Sequence, residues 1–224
     1  MHFAKPEVSV VMPTYNRREF LPCAVNSILL QTYKDFELIL VNNGCNDGSE
    51  ILCREFCQRD ERIKLINIPE NKGAAYARNQ GMEAAVGEYI TFVDDDDYCE
   101  PEMLKFLWDL AKQYNADISV CGSWYDYQGI KKPKFVFEEL AILDKVKGLD
   151  ELLKREMYNV SPPTKLFRKL LFENIRFKEN TMVDDIHVIY KVFANADKVA
   201  AKGKPLYSFR KHDGNMTGFI QTNK

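Results

Sequence analysis

Short apolar runs alternate with stretches of helical periodicity along the first half of the chain. Residues 8–12 form a β-branched run closed by Pro13, a strand by length and composition. Phe20, Leu21, Ala24, Val25, Ile28 and Leu29 then recur at helical spacing, with Pro22 tolerable only near the helix start. The pattern continues as a strand over 36–41 closed by Asn42-Asn43-Gly44, a helix over 48–59, a short strand over 63–68, a helix over 74–85 and a strand over 88–93. Met103, Leu104, Leu107, Trp108 and Ala111 mark a further amphipathic helix, and 118–121 a fifth strand. Such alternation predicts an α/β fold with a mostly parallel central sheet covered by helices on both faces.

The second half changes character. Residues 124–137 are aromatic and basic, with Lys131-Lys132-Pro133-Lys134, and predict a hairpin or loop. Short helices are expected near 149–157 and 167–174. Val183, Ile186, Ile189, Tyr190 and Phe193 mark a helix whose first turn holds Asp184 and Asp185. A strand at 206–210 and a polar tail at 211–217 complete the pattern. Without a repeat or low-complexity linker, a first half (1–122) and a second half (123–224) are expected to share one body.

In open α/β sheets ligands bind beyond the carboxyl ends of the strands. Three polar clusters fall at such ends: residues 14–17 (Thr-Tyr-Asn-Arg), Asn42-Asn43, and the consecutive Asp94, Asp95, Asp96 and Asp97. Four adjacent carboxylates repel one another. The run reads either as a solvated acidic turn ahead of a helix opening at Pro101, or as a site for a hard divalent cation such as Mg²⁺ or Mn²⁺, which would relieve the repulsion.

Composition narrows the partners. The 224 residues are 46% hydrophobic and 29% charged, as in ordinary globular proteins, and the net charge of -2 gives no general attraction to nucleic acid. No apolar stretch approaches the roughly 18 residues of a membrane span. The opening Met1-His2-Phe3-Ala4-Lys5-Pro6 lacks the apolar region of a signal peptide, so a cytoplasmic protein is expected. Six scattered cysteines and three histidines make no zinc pattern, and the cysteines read as reduced thiols.

Three segments together resemble the inverting nucleotide-sugar glycosyltransferases of family 2, with the GT-A fold. Residues 8–17 are similar to that family's first strand and nucleotide loop, and 31–38 to its lead into the second strand. Residues 71–81 followed by 87–97 resemble its central signature; 177–185 and 210–217 match its later pattern more loosely. Thr164-Lys165-Leu166-Phe167 resembles an acceptor-side stretch that usually begins with asparagine. The resemblance implies a nucleotide-sugar-binding first half and an acceptor-binding second half. It implies transfer of a sugar from a nucleotide diphosphate sugar, expected to be a UDP-sugar, to a hydroxyl of a glycan or lipid-linked glycan. A lipid-linked acceptor would bring the protein peripherally to the inner face of a membrane.

By the same match Asp96, with Asp94, would hold Mn²⁺ or Mg²⁺ on the diphosphate. Asp94 and Asp95 would hold the ribose or reach the ion through water, while Asp97 stands open between a helix cap and a ligand role. Asp185 matches the acceptor-side base, with Asp184 beside it as the alternative; acidic residues in a first helical turn are also favoured by the macrodipole alone. Pro13, Tyr15, Arg17, Asn43 and Arg78 fall at nucleotide-contacting positions, and Arg210 and His212 in a C-terminal loop that could close on the diphosphate. The departure is Asn42-Asn43, where the family usually has two aspartates. A neutral amide accepts the uracil N–H less strongly than a carboxylate, so weaker or altered base selection is expected. A nucleotidyltransferase and a non-catalytic nucleotide-sugar-binding module remain the competing classes. The first fits poorly, because residues 14–17 lack the glycine of a phosphate loop.

Overall fold

The computed structural model describes residues 5–181 and 184–215. Its first half is the expected alternation: β1 (Val8–Thr14), α1 (Leu21–Leu29), β2 (Phe36–Asn43), α2 (Ser49–Arg59), β3 (Ile63–Ile68), α3 (Ala74–Ala84) and β4 (Tyr89–Phe92). The four strands are parallel in the order β3-β2-β1-β4. All of β2 and all of β1 except Pro13 are buried, which is why these strands read as unbroken apolar runs. Pro22 lies in the first turn of α1, where its missing N–H has no partner to lose.

The rest of the chain holds β5 (Tyr98–Cys99), α4 (Met103–Tyr114), β6 (Ile118–Tyr127), β7 (Ile130–Lys134), β8 (Ala141–Asp144), α5 (Lys145–Lys154), β9 (Lys165–Arg168), α6 (Ile189–Asn195) and β10 (Lys198–Arg210). The sheet runs on from β4 as β9-β6-β10-β5, with β9 antiparallel to both β4 and β6 and β10 parallel to β6. One core cluster, with Val11, Ile39, Phe92, Phe167 and Phe193, lies on the side of α3 and α6. The other, with Val10, Leu38, Tyr89, Leu107 and Leu166, lies on the side of α1 and α4.

Several second-half expectations are corrected. Residues expected to begin a helix at 167 belong to β9, and only a 3₁₀ turn (Lys169–Phe172) follows. Leu166 and Phe167 enter opposite cores, so period-two alternation wins over local helix propensity. The helix expected at 149–157 starts earlier, because Asp144 caps it by accepting Lys147 N–H at 2.9 Å, and stops at Arg155 in the left-handed region (φ 62°). Asp184 and Asp185 are not in the first turn of an α-helix: a 3₁₀ turn (Asp185–His187) precedes α6, and Val183 lies outside the described residues. β5 and β8 carried no signal, and β10 begins eight residues before the expected strand at 206. Of the expected polar tail, 216 and 217 lie outside the described residues.

Gly81 fixes how closely α3 approaches the sheet. A Cβ there would collide with the Val11 side chain on β1, so only glycine permits the contact. That approach sets the position of Arg78, one turn earlier on α3.

Candidate active site

The carboxyl ends of β1, β2 and β4 meet the loop before α6 and the residues after β10, and nearly all the candidate side chains gather there. Arg78 joins them. Its side chain is 8% exposed; Nη2 contacts Asp94 Oδ1 at 3.2 Å, and Nη1 contacts Asp184 Oδ2 at 2.8 Å and Asp185 Oδ1 at 3.5 Å. Burial opposes the guanidinium charge, but the three carboxylates outweigh it and hold Arg78 protonated well above its ordinary range. Removing a cation so placed would strand three acids in a dry environment.

The aspartate run divides into four environments. Asp94 lies against Arg78, and burial still raises its carboxyl above the usual range. Asp95 accepts the Tyr15 N–H at 3.1 Å and faces Arg17 at 3.9 Å; burial and the neighbouring Asp96 push it up to about 7. Asp96 is met by His212 Nε2 at 3.0 Å, by Asn215 Nδ2 at 3.3 Å and by Arg17 Nε at 3.7 Å. Asp97 neither caps α4 nor faces an open cleft: it accepts Tyr207 O–H at 2.8 Å and Arg210 N–H at 2.8 Å, tying β10 to the acidic loop. Burial, with Asp94 and Asp96 beside it, raises Asp97 well above the ordinary range. Tyr207, which carried no sequence signal, also accepts Asp94 N–H through its hydroxyl at 3.2 Å.

Asp184 and Asp185 differ in what they can do. Asp184 is committed to Arg78 by a 2.8 Å hydrogen bond. Asp185 makes only the longer contact, and its buried Oδ1 has no hydrogen-bond partner among the described residues. Burial, with Asp184 and Asp94 nearby and Arg78 opposing, raises Asp185 to about 7. A carboxylate poised near neutrality, with an oxygen that only the longer Arg78 contact engages, has the character of a general base.

Tyr15, Pro13, Arg17 and Asn43, expected at nucleotide-contacting positions, lie at or just past the ends of β1 and β2. Tyr15 follows β1 and is 42% exposed, leaving its ring available for stacking. Pro13 lies near the end of β1, paired with Val41, and Arg17 reaches both the aspartates and Gly214 O at 3.0 Å. Asn43 is 3% exposed and its amide is already engaged: Nδ2 donates to Asn71 Oδ1 at 2.9 Å and to Gly73 O at 3.2 Å, and Oδ1 accepts Lys72 N–H at 3.1 Å. Asn42 likewise bridges Asn67 and Cys45 N–H. Gly44, at φ 72°, lets this turn pass against the backbone of Glu70 and Asn71.

The C-terminal candidates separate. His212 reaches Asp96 and stacks on Phe20 with centroids 4.4 Å apart, whereas the Arg210 guanidinium points away, over Phe20 and Tyr98 and onto Cys23 Sγ at 3.1 Å. Thr164 adopts φ 74°, unusual for a β-branched residue, and Lys165 beside it is fully buried, donating to Ser161 O at 2.7 Å. All six cysteines are free thiols.

Five carboxylates (Asp94, Asp95, Asp96, Asp184 and Asp185) thus share two guanidinium groups, with Asp97 buried beside them, an excess of carboxylates with hard oxygen donors. Among the described residues no three His, Cys, Asp or Glu side chains converge on one point. That donor set suits Mg²⁺ or Mn²⁺, which take one or two protein carboxylates and complete their shell with phosphate oxygens and water.

Comparison with known proteins agrees with the geometry. The family profile described as Glycosyl transferase family 2 matches residues 9–176. The chain is 32% identical to glycosyltransferase GlyA of Streptococcus pneumoniae serotype 4, over 94% of this chain and 31% of GlyA. Residues 1–349 of TarS from S. aureus, solved with UDP-GlcNAc, superpose with a TM-score of 0.80 at 24% identity, over 94% of this chain and 60% of that one. A mannosyltransferase of Pyrobaculum calidifontis, solved with GDP-Man and Mn²⁺, superposes with a TM-score of 0.69 at 17% identity, over 96% of this chain and 60% of that one. The chain therefore has the GT-A architecture, and it spans about a third of the length of GlyA and 60% of the TarS fragment.

Proposed function

The chain belongs to glycosyl transferase family 2, and from that premise we propose that it moves a sugar from a UDP-sugar to a glycan hydroxyl with inversion at the anomeric carbon. The reading rests above all on Arg78, one buried guanidinium that binds Asp94 on one side and the Asp184-Asp185 pair on the other. It couples the acidic run at the end of β4 to the acceptor-side acids.

In this reading residues 1–122 hold the donor and 123–224 supply the acceptor side. The exposed Tyr15 ring lies against the uracil, with its N–H held by Asp95, while Pro13 and the loop braced by Asn43 wall the base. Asp96 and Asp94 are the residues that would hold Mn²⁺ or Mg²⁺. When bound, the ion would neutralise charge on the departing diphosphate. Arg17 and His212 border the same space, and the turn at 212–215 closes it from the C-terminal side.

Asp185 takes the proton from the acceptor hydroxyl as that oxygen attacks the anomeric carbon opposite the leaving diphosphate. Asp184, fixed on Arg78, positions its neighbour. No helix among the described residues is long and apolar enough to cross a membrane; a lipid-linked acceptor would then be met at the membrane surface.

The test is release of UDP from a panel of UDP-sugars without acceptor. The expected outcome is Mn²⁺-dependent hydrolysis that disappears in Asp96→Asn. Tight binding with no turnover across the panel would instead identify a non-catalytic binding module.

A further inference from the structure

The β6–β7 hairpin carries chemistry that sugar transfer at the aspartates does not use. Strand alternation and the β6–β7 and β6–β10 registers put Tyr125, Tyr127, Lys132, Lys134 and Phe209 on one face, with Lys211 just past the end of β10. A tight turn at Gln128-Gly129 (φ 54° and 94°) closes the hairpin, and Gly129 N–H donates to Asp126 Oδ1 at 2.6 Å.

Three ammonium groups sit on the rings of this face. Lys134 Nζ lies 4.4 Å from the centroids of both Tyr125 and Phe209, Lys211 Nζ 4.6 Å from Tyr125, and Lys132 Nζ 5.2 Å from Tyr127. Among the described residues none of the three side chains forms an ion pair or a hydrogen bond. Lys131, which faces the other way, pairs with Glu100 at 2.8 Å. Two ammonium groups around one ring repel each other, and burial lowers Lys134 to about 8 against the opposing charge of Asp97, with which it makes no ion pair. The face therefore holds positive charge in want of an anion.

It is also tied to the acidic loop, through one buried ring. The rings form a ladder: Tyr127 to Tyr125 at 6.3 Å, Tyr125 to Phe209 at 6.1 Å, and Phe209 to Tyr207 at 4.7 Å. Tyr207 is the residue whose hydroxyl binds Asp97 and the Asp94 N–H. Tyr207 is buried, but the three outer rings, Tyr127, Tyr125 and Phe209, fit a linear chain of sugar rings, whose C–H faces stack on aromatic side chains.

We infer that this face holds the acceptor as an acidic glycan, whose carboxylates draw Lys132, Lys134 and Lys211 off the rings and whose pyranose rings take their place on Tyr125, Tyr127 and Phe209. The inference rests on the proposed transfer to a glycan, and names the acceptor's charge. Rings alone would suit a neutral glycan; the unpaired ammonium groups select a charged one.

Calorimetric titration of the whole chain with oligogalacturonate, neutral dextran oligosaccharide, inorganic polyphosphate and phosphatidylglycerol vesicles tests it. Oligogalacturonate is expected to bind roughly tenfold or more tighter than dextran (rings without charge) and polyphosphate (charge without rings). Lys134→Gln and Tyr125→Ala should each weaken it by about fivefold, with UDP affinity unchanged. Should either variant fail to fold, the exposed pair Lys132→Gln and Tyr127→Ala decides the outcome by the same loss. Equal binding of polyphosphate, tighter binding to the vesicles, or unaltered oligogalacturonate affinity in the variants would overturn the assignment. Failure of the wild type to bind UDP would count against the sugar-transfer reading and leave the glycan result standing.

Discussion

Asp185 and Asp184 are adjacent in sequence yet have opposite fates, because the Arg78 hydrogen bond goes to one and leaves the other an unpartnered oxygen. The proton on Asp185 is held to about 7, so the competent carboxylate accumulates only as pH rises through neutrality. Turnover of a UDP-sugar is therefore expected to increase with pH across a transition near 7, read from a pH–rate profile. Asp185→Asn should lower turnover by about 10²–10⁴-fold while UDP affinity stays the same. A comparable loss in UDP affinity would assign Asp185 to donor binding instead. The sequence singled out this pair, the aspartate run and Arg78, since chemistry-bearing residue types at strand ends are visible in a string. It gave no hint of Tyr207 and showed Lys134 only as part of a basic, aromatic hairpin or loop; the contacts of both come from register between distant strands.

At the scale of elements, the connection from β2 to α3 shows why asparagine stands at position 43. The Asn43 Nδ2 donates to two acceptors, and Asn71 Oδ1 is itself pinned by Gly73 N–H at 2.9 Å, so the partner cannot turn its amide to suit a carboxylate. The asparagine braces the loop that opens α3, the helix that carries Arg78. Asn43→Asp is thus expected to cost about 1–3 kcal/mol in a denaturant titration, because a buried carboxylate would face two acceptors. Unchanged stability with a gain in UDP affinity would show instead that the position serves the base directly, as the comparison of aspartate and asparagine in the sequence suggested. The first-half elements were legible because β1, β2 and β4 are buried on both faces and helices such as α4 show one apolar stripe. The short strands inserted later in the sheet were not. β9 has four residues and β5 two, and both exist because they fill places in a sheet built by other segments.

At the scale of the whole molecule, the site stores like charge that the fold must carry. Asp95 and Asp185 are raised to about 7, so between the ordinary carboxylate range and neutrality the folded chain binds protons that the unfolded chain has released. Stability falls with rising pH across that window. Lys165 and Lys134 act in the opposite sense: burial lowers them to about 7 and about 8, so above neutrality the unfolded chain binds the extra protons and stability recovers. Carboxylates held low, such as Glu37 and Asp60, contribute only as pH drops below the ordinary carboxylate range. The melting temperature is accordingly expected to pass through a minimum near neutral pH, and Mn²⁺ with UDP should raise it more there than at about pH 5. A monotonic profile, or an equal rise at both pH values, would contradict this balance. The sequence by itself determined the α/β alternation, the strand ends where chemistry collects, and the acidic residues that gather there, because apolar periodicity and charge are local properties. Only the tertiary structure decided that one buried arginine joins Asp94 to Asp184 and Asp185, that Asp97 anchors β10, and that lysines share rings on the β6–β7 face. Those pairings span up to 113 residues of chain and follow from strand order and register, which no local pattern encodes.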